Sequence, residues 1–137
     1  MVDVIVPLPD QLSEQFWSGA RRGELVIQRC QKCRVYNHPP QVVCNTCSSS
    51  DFAYPAVEGR GRVHSYTSSL RRRGATEGDG GQSHINIIVE LDIQPGIFLV
   101  GRVAKDESGW VEIGVPVAVW FEQVDNTDLV LPQFRPV

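Results

Sequence analysis

With 137 residues, the chain has room for one ordinary domain, or for a small module joined to a second compact unit. Its 42% hydrophobic and 21% charged content is ordinary for a soluble globular protein, and no stretch approaches the run of about eighteen apolar residues that a membrane span needs. The net charge of −3 hides an asymmetry: residues 21–73 hold ten basic against three acidic residues, and residues 74–137 hold ten acidic against three basic. The basic segment points to a phosphorylated ligand, a polyanion or an acidic partner, with solvated arginines scattered over the surface as the plain alternative.

The first element expected is one amphipathic helix. Asp10 is placed to cap it, Leu12, Phe16 and Ala20 recur at i, i+4, i+8, and Arg21 and Arg22 complement its C-terminal dipole. Gly23 supplies the left-handed stop. Trp17 lies beside the apolar face, so the helix either packs back on the ribbon or docks on another subunit.

Leu25–Arg29 reads as a short strand leading into Cys30-x2-Cys33, and residues 35–43 cross to Cys44-x2-Cys47. Each CxxC turn aims two thiolates at one point, and two such turns supply the four soft tetrahedral ligands that zinc prefers. An all-cysteine shell is closed, so the metal expected is structural. Two disulfides are the alternative in a secreted protein. Residues 1–7 have neither the basic nor the apolar part of a signal peptide, so a reducing cytoplasm is the expected setting. Iron can occupy the same four sulfurs, and His38, between the pairs, is a competing ligand. A ribbon of this size is too small to bury a useful core alone, so zinc would supply much of its folding energy.

From Gly59 the texture is all-β. Residues 62–70 are rich in Val, Tyr and Thr, and Ile85, Ile87, Val89, Leu91 and Ile93 alternate at period two. Gln94-Pro95-Gly96 orders proline and glycine for a type II turn into a return strand over 97–103. A turn near 108–113 precedes two further strands, at 115–121 and 129–134. Five strands in about seventy-five residues suit a small Greek-key barrel of OB type. The fold class expected is therefore mainly β: an N-terminal helical segment (1–24), a four-cysteine zinc ribbon (25–56) and a five-stranded OB-type barrel (57–137). The glycine-rich loop at 71–83 opens on Arg71, Arg72 and Arg73, which are placed to grip phosphates or to act as a solvated hinge.

Catalytic machinery is not evident. No serine elbow, HExxH, Walker loop or dinucleotide fingerprint occurs. All four cysteines are committed to metal, and His64 and His84 read as polar strand residues without an obvious carboxylate partner. The chain reads as a binding module.

Several segments in order resemble one family. They are the approach Gly23-Glu24-Leu25-x-x-Gln28-Arg29-Cys30, the two CxxC pairs flanking Pro39-Pro40, and Gly59-Arg60-Gly61-Arg62-Val63-His64-Ser65-Tyr66-Thr67. Ile88–Asp92, Ile113–Val117 and the close Leu131–Pro136 complete the pattern. Together they resemble the acyl-CoA-associated OB-fold proteins with a rubredoxin-like zinc ribbon, over nearly the whole chain. The resemblance implies a small, non-catalytic partner of thiolase-like enzymes: acyl-CoA thiolases, retro-aldol lyases on CoA thioesters, or acyltransferases. It implies a hetero-oligomer with two of each chain, in which the large subunit catalyses, the small one docks through its helix and ribbon, and the barrel helps to shape the acyl-CoA site. Arg71, Arg72 and Arg73, backed by Arg60 and Arg62, are then the expected contacts to CoA. Arg34 departs from the family pattern where a glycine commonly follows the first knuckle, and the 71–83 loop is richer in arginine and glycine than expected. The other functional class carried from the residues is a nucleic-acid-binding OB-fold and zinc-ribbon module. Overall acidity and the scatter of Tyr66, Phe98, Trp120 and Phe121 weigh against it.

Overall fold

The computed structural model describes residues 7–68 and 84–137. Arg71, Arg72, Arg73 and the loop they open lie outside the described residues.

Helix α1 spans Glu14–Arg21. Its N-cap is Ser13 rather than the expected Asp10, which instead closes the turn ahead of the helix: Ser13 N–H donates to Asp10 Oδ1 at 2.7 Å, and Asp10 N–H donates to Ser13 Oγ at 3.0 Å. At the other end Glu24 N–H reaches Gly19 O and Gly23 N–H reaches Ala20 O, both at 2.9 Å, with Gly23 at φ +77°. That pair of bonds is a Schellman stop, which glycine enters without steric cost. Gly19 is the contact point of α1 with the next strand, because any side chain there would collide with Val26.

The expected strand at Leu25–Arg29 is two strands, β1 (Leu25–Val26) and β2 (Gln28–Cys30). They separate at Ile27 because the partner changes. β2 lies between β3 (Tyr36–Asn37) and β4 (Phe52–Ala53), whereas β1 pairs with β5 (Ala56–Val57), and Ile27 N–H donates to Pro55 O.

The barrel comprises β6 (Arg60–Ser68), β7 (His84–Leu91), β8 (Phe98–Ala104), β9 (Pro116–Gln123) and β10 (Val130–Pro136), in the order β10-β9-β6-β7-β8, every pair antiparallel. Ile87, Val89 and Leu91 face inward as the alternation predicts, while Ile93 lies beyond the end of β7. Gly96 has φ +87° in the turn to β8. A short 3-10 turn, Lys105–Glu107, follows β8. A bulge at His64 shifts the β6–β7 register.

The two edge strands, β8 and β10, do not form a ladder with each other. A side chain bridges them instead: Gln133 Oε1 accepts from Arg102 N–H at 2.7 Å while its Nε2 donates to Glu122 Oε1 at 3.1 Å. Gly101 permits this approach, since a Cβ there would sit 3.2 Å from Phe134 and 3.4 Å from Ile87. One core fills the interior. Leu25 and Ile27, from the approach to the ribbon, are packed into it with Val63, Ile87, Leu91, Val117 and Phe134.

Candidate metal centre and adjoining cleft

The two CxxC turns are built alike. Cys30 N–H donates to Val35 O and Arg34 N–H to Cys30 O; Cys44 N–H donates to Ser49 O and Ser48 N–H to Cys44 O, all within 3.0 Å. In each turn the residue after the second cysteine is left-handed, Arg34 at φ +71° and Ser48 at φ +62°. This is why glycine suits that place: a side chain there costs about 1–2 kcal/mol.

The four sulfurs converge, all lying within 4.8 Å of one another, with Cys30–Cys47 at 3.5 Å and Cys33–Cys44 at 3.6 Å. A zinc ion with Zn–S bonds of about 2.3 Å needs sulfurs roughly 3.8 Å apart at the corners of a tetrahedron, so the donor set fits. Cys30 and Cys44 are buried, Cys33 and Cys47 half-buried.

Amides surround the sulfurs unevenly. Cys44 Sγ faces Thr46 N–H at 3.4 Å and Asn37 Nδ2 at 3.6 Å, while Cys30 Sγ faces Cys33 N–H at 3.5 Å. Burial works against the Cys44 thiolate. The Cys47 and Thr46 amides, with Asn37 and the Cys33 thiol, outweigh it and bring Cys44 down to about 6. Cys30 is lowered chiefly by the Cys33 amide. Cys33 moves the other way: the Val35 amide favours its thiolate, but desolvation and the neighbouring sulfurs push it up to about 12. Four thiolates this close repel one another, and a bound dication removes that penalty by displacing the protons.

His38 does not join the sulfurs. Its ring lies against Phe16, centroids 5.4 Å apart, and Nδ1 is enclosed without a hydrogen-bond partner among the described residues. Burial lowers it to about 4, so the imidazole is neutral near pH 7. Arg60 and Arg62 stand exposed on the outside of β6 and do not converge on the sulfurs. Arg60 Nε pairs with Glu58 Oε1 at 2.9 Å, and Arg62 donates to Gly114 O at 3.0 Å. On the same strand, the His64 ring lies 4.7 Å from that of Phe98 on β8.

A cleft of about 230 Å³ opens where helix, ribbon and barrel meet, lined by Phe16, Trp17, His38, Pro39, Phe98, Leu99, Val100 and Pro132. One two-point contact joins its walls. Gln94 Oε1 accepts from Tyr36 N–H at 2.9 Å and Gln94 Nε2 donates to Tyr36 O at 3.0 Å. Tyr36 leads to His38 and Pro39, and Gln94 leads through the turn to Phe98. Neither Asn37 nor Gln94 stands out in the sequence, for each acts across a strand pairing or a turn that spacing does not reveal.

A closed four-sulfur ribbon sharing a core with a five-stranded OB barrel defines a class of small zinc-ribbon proteins. Residues 17–53 match the rubredoxin-like zinc ribbon domain of ChsH2. The structure superposes on a chain of the Ltp2–ChsH2(DUF35) aldolase with a TM-score of 0.77 and 32% identity, covering 96% of this chain and 98% of that one. A relative in Thermomonospora curvata, the probable enoyl-CoA hydratase alpha subunit, is 35% identical over 124 residues, 88% of this chain and 36% of its own length. The chain thus spans about a third of that curated relative. The chain belongs to the ChsH2 zinc-ribbon family, the DUF35 proteins.

Proposed function

We propose that the chain is a non-catalytic zinc-bearing accessory subunit of a thiolase-superfamily complex, docking on the catalytic subunit and helping to form the site for a CoA thioester. The observation that carries this reading is the likeness along nearly the full length of both chains to a component of an aldolase assembly. The bacterial relative, named as a subunit of an enoyl-CoA enzyme, supports the CoA thioester as the ligand class. Cys30, Cys33, Cys44 and Cys47 would hold the zinc, which supplies rigidity to the ribbon and no open coordination site. With every cysteine of the chain in that cluster, the ribbon offers no thiol nucleophile.

The arginines of the barrel supply the ligand side of the proposal. Arg60 and Arg62 present guanidinium groups on the outer face of β6, the strand that leads to Arg71, Arg72 and Arg73. A guanidinium–phosphate contact is bidentate and worth about 1.5–3 kcal/mol, so a CoA phosphate held by two of them gains selectivity as well as affinity.

The test is co-expression with a thiolase-like catalytic chain. The expected result is a complex with two of each chain, containing zinc and turning over a CoA thioester with a lower KM than the large chain alone. Replacing the five arginines by glutamine should raise KM and leave assembly intact. A purified chain that stays monomeric beside that partner, with no change in activity on mixing, refutes the reading. A salt-dependent shift with single-stranded DNA would favour the nucleic-acid alternative.

A further inference from the structure

We infer that the unpaired edge of β8 is a docking slot for an extended, uncharged, apolar segment of the catalytic subunit, which adds to the barrel as one more strand at Phe98 and Val100. The inference rests on the accessory-subunit reading above and names the surface and the chemistry of the segment it receives.

Backbone direction leaves that edge open. β8 pairs with β7 on one side and, among the described residues, has no hydrogen-bonded strand on the other, where β10 faces it across the seam. Ile97 O points toward β7, accepting from Leu91 N–H at 2.9 Å, whereas Arg102 N–H points away, donating to Gln133 Oε1. Period two then sends the N–H and C=O groups of Phe98 and Val100 to the same open side as Arg102. β10 cannot close this stretch. Its Pro132 has no N–H, and proline is placed within sheets where the missing donor faces away from the ladder. The Gln133 side chain spans the seam at Arg102, and toward Phe98 the seam opens into the cleft.

Side-chain chemistry sets the occupant. The described lining of the cleft carries no charged group: the rings of Phe16, Trp17 and Phe98, the prolines and a neutral imidazole form its walls. An acidic or basic segment would lose its hydration there with nothing to replace it. Val100 is 66% exposed and Phe98 37%, on an edge strand that carries neither charge nor proline at those positions. Natural proteins blunt such an edge or cover it. An extended apolar segment satisfies both demands, because its main chain pairs with β8 while alternate side chains enter the cleft. A slot of about 230 Å³, flanked by α1, admits one narrow segment rather than the edge of a second barrel with its own helix.

The experiment uses the complex co-purified with the thiolase-like chain. Hydrogen exchange at the amides of Phe98 and Val100 should be fast in the free chain and slow in the complex, while Leu99 and Gly101, bonded to β7, stay protected in both. Val100→Pro removes an outward N–H without touching the β7 ladder, and should weaken assembly about tenfold, the loss of one interfacial hydrogen bond. Val100→Thr keeps the main chain and should assemble like wild type. Zinc content and thermal midpoint of free Val100→Pro report whether it has folded. Equal exchange in free and bound chains, or equal assembly by folded Val100→Pro, overturns the inference and leaves the accessory role standing. Exchange protection that grows with the concentration of the free chain also overturns it, since a second copy would then be the occupant. A wild-type chain that forms no complex removes the functional reading and this inference together.

Discussion

Asn37 shows how much of a metal site lies beyond its ligands. It is 3% exposed, with one amide N–H directed at Cys44 Sγ and its Oδ1 accepting from Asn45 N–H at 3.2 Å. The same side chain therefore fixes the second knuckle and lowers the charge density on one of its sulfurs. Asn37→Ala should reduce zinc affinity by about 10–100-fold, the usual scale for partners that orient ligands, as read by competition with a chromophoric chelator. An unchanged affinity would reduce the amide to filler. His38, the neighbouring residue, makes a pH-dependent prediction. Its folded value is depressed from 6.5 to about 4 by burial, so the unfolded chain binds the extra proton first. The contribution is fully present above pH 6.5 and lost as pH falls from there toward 4. His38→Gln should flatten that part of a thermal-midpoint profile, while acid loss of the metal remains common to both proteins. The cysteines are legible in the sequence because a CxxC turn writes its geometry locally. Asn37 is not, since its role exists only once β2 and β3 pair and bring residue 37 beside Cys44.

At the scale of elements, side-chain amides take the place of strands. Gln94 offers Tyr36 a donor and an acceptor as a neighbouring strand would, and Gln28 does the same for Gln41, with Nε2 to Gln41 O and Gln41 N–H to Oε1 both at 2.9 Å. Two hydrogen bonds of about 0.5–1.5 kcal/mol each set the scale for Gln94→Ala, about 1–3 kcal/mol of stability. Because the bond joins the two walls of the cleft, that variant should also make Trp17 more accessible to a fluorescence quencher, in a background where Trp110 and Trp120 are phenylalanine. Zinc stoichiometry should not change. Quenching equal to wild type would show that the walls hold without the clamp. Sequence periodicity exposes the long barrel strands, since Ile87, Val89 and Leu91 each bury the same face. It does not expose β4 and β5, two-residue strands separated by Tyr54 and Pro55, nor the break at Ile27, where no residue type marks the change of partner.

The whole molecule depends on a core that ribbon and barrel share. The ribbon is indeed small, yet its approach is not isolated, for Leu25 and Ile27 are 2% and 0% exposed inside the barrel cluster. The short segment from residue 25 to residue 30 thus links barrel core to metal, with Cys30 at the end of β2. Structural zinc is worth about 10–16 kcal/mol in isolated finger peptides, comparable with the entire stability of an ordinary domain. Its removal leaves four crowded thiols to reprotonate, and residues 30–47 are then held only by the short β2–β3 pairing and a few side-chain amide bonds, those of Gln28, Asn37 and Gln94 among them. Yet Val63, Ile87, Val89, Leu91, Val117 and Phe134 bury one another without any help from the metal. Chelation should therefore act in two stages. Hydrogen-exchange protection should vanish first over residues 28–53, and the barrel should persist with a lower thermal midpoint, because Leu25, Ile27 and the Gln94 clamp are then anchored at one end only. Calorimetry of the chelated protein should show one broad barrel transition below that of the zinc form, and zinc should restore the original midpoint. A chain that unfolds completely on chelation would place the metal at the base of the entire fold, and one that melts unchanged would deny the ribbon any share in the stability of the barrel.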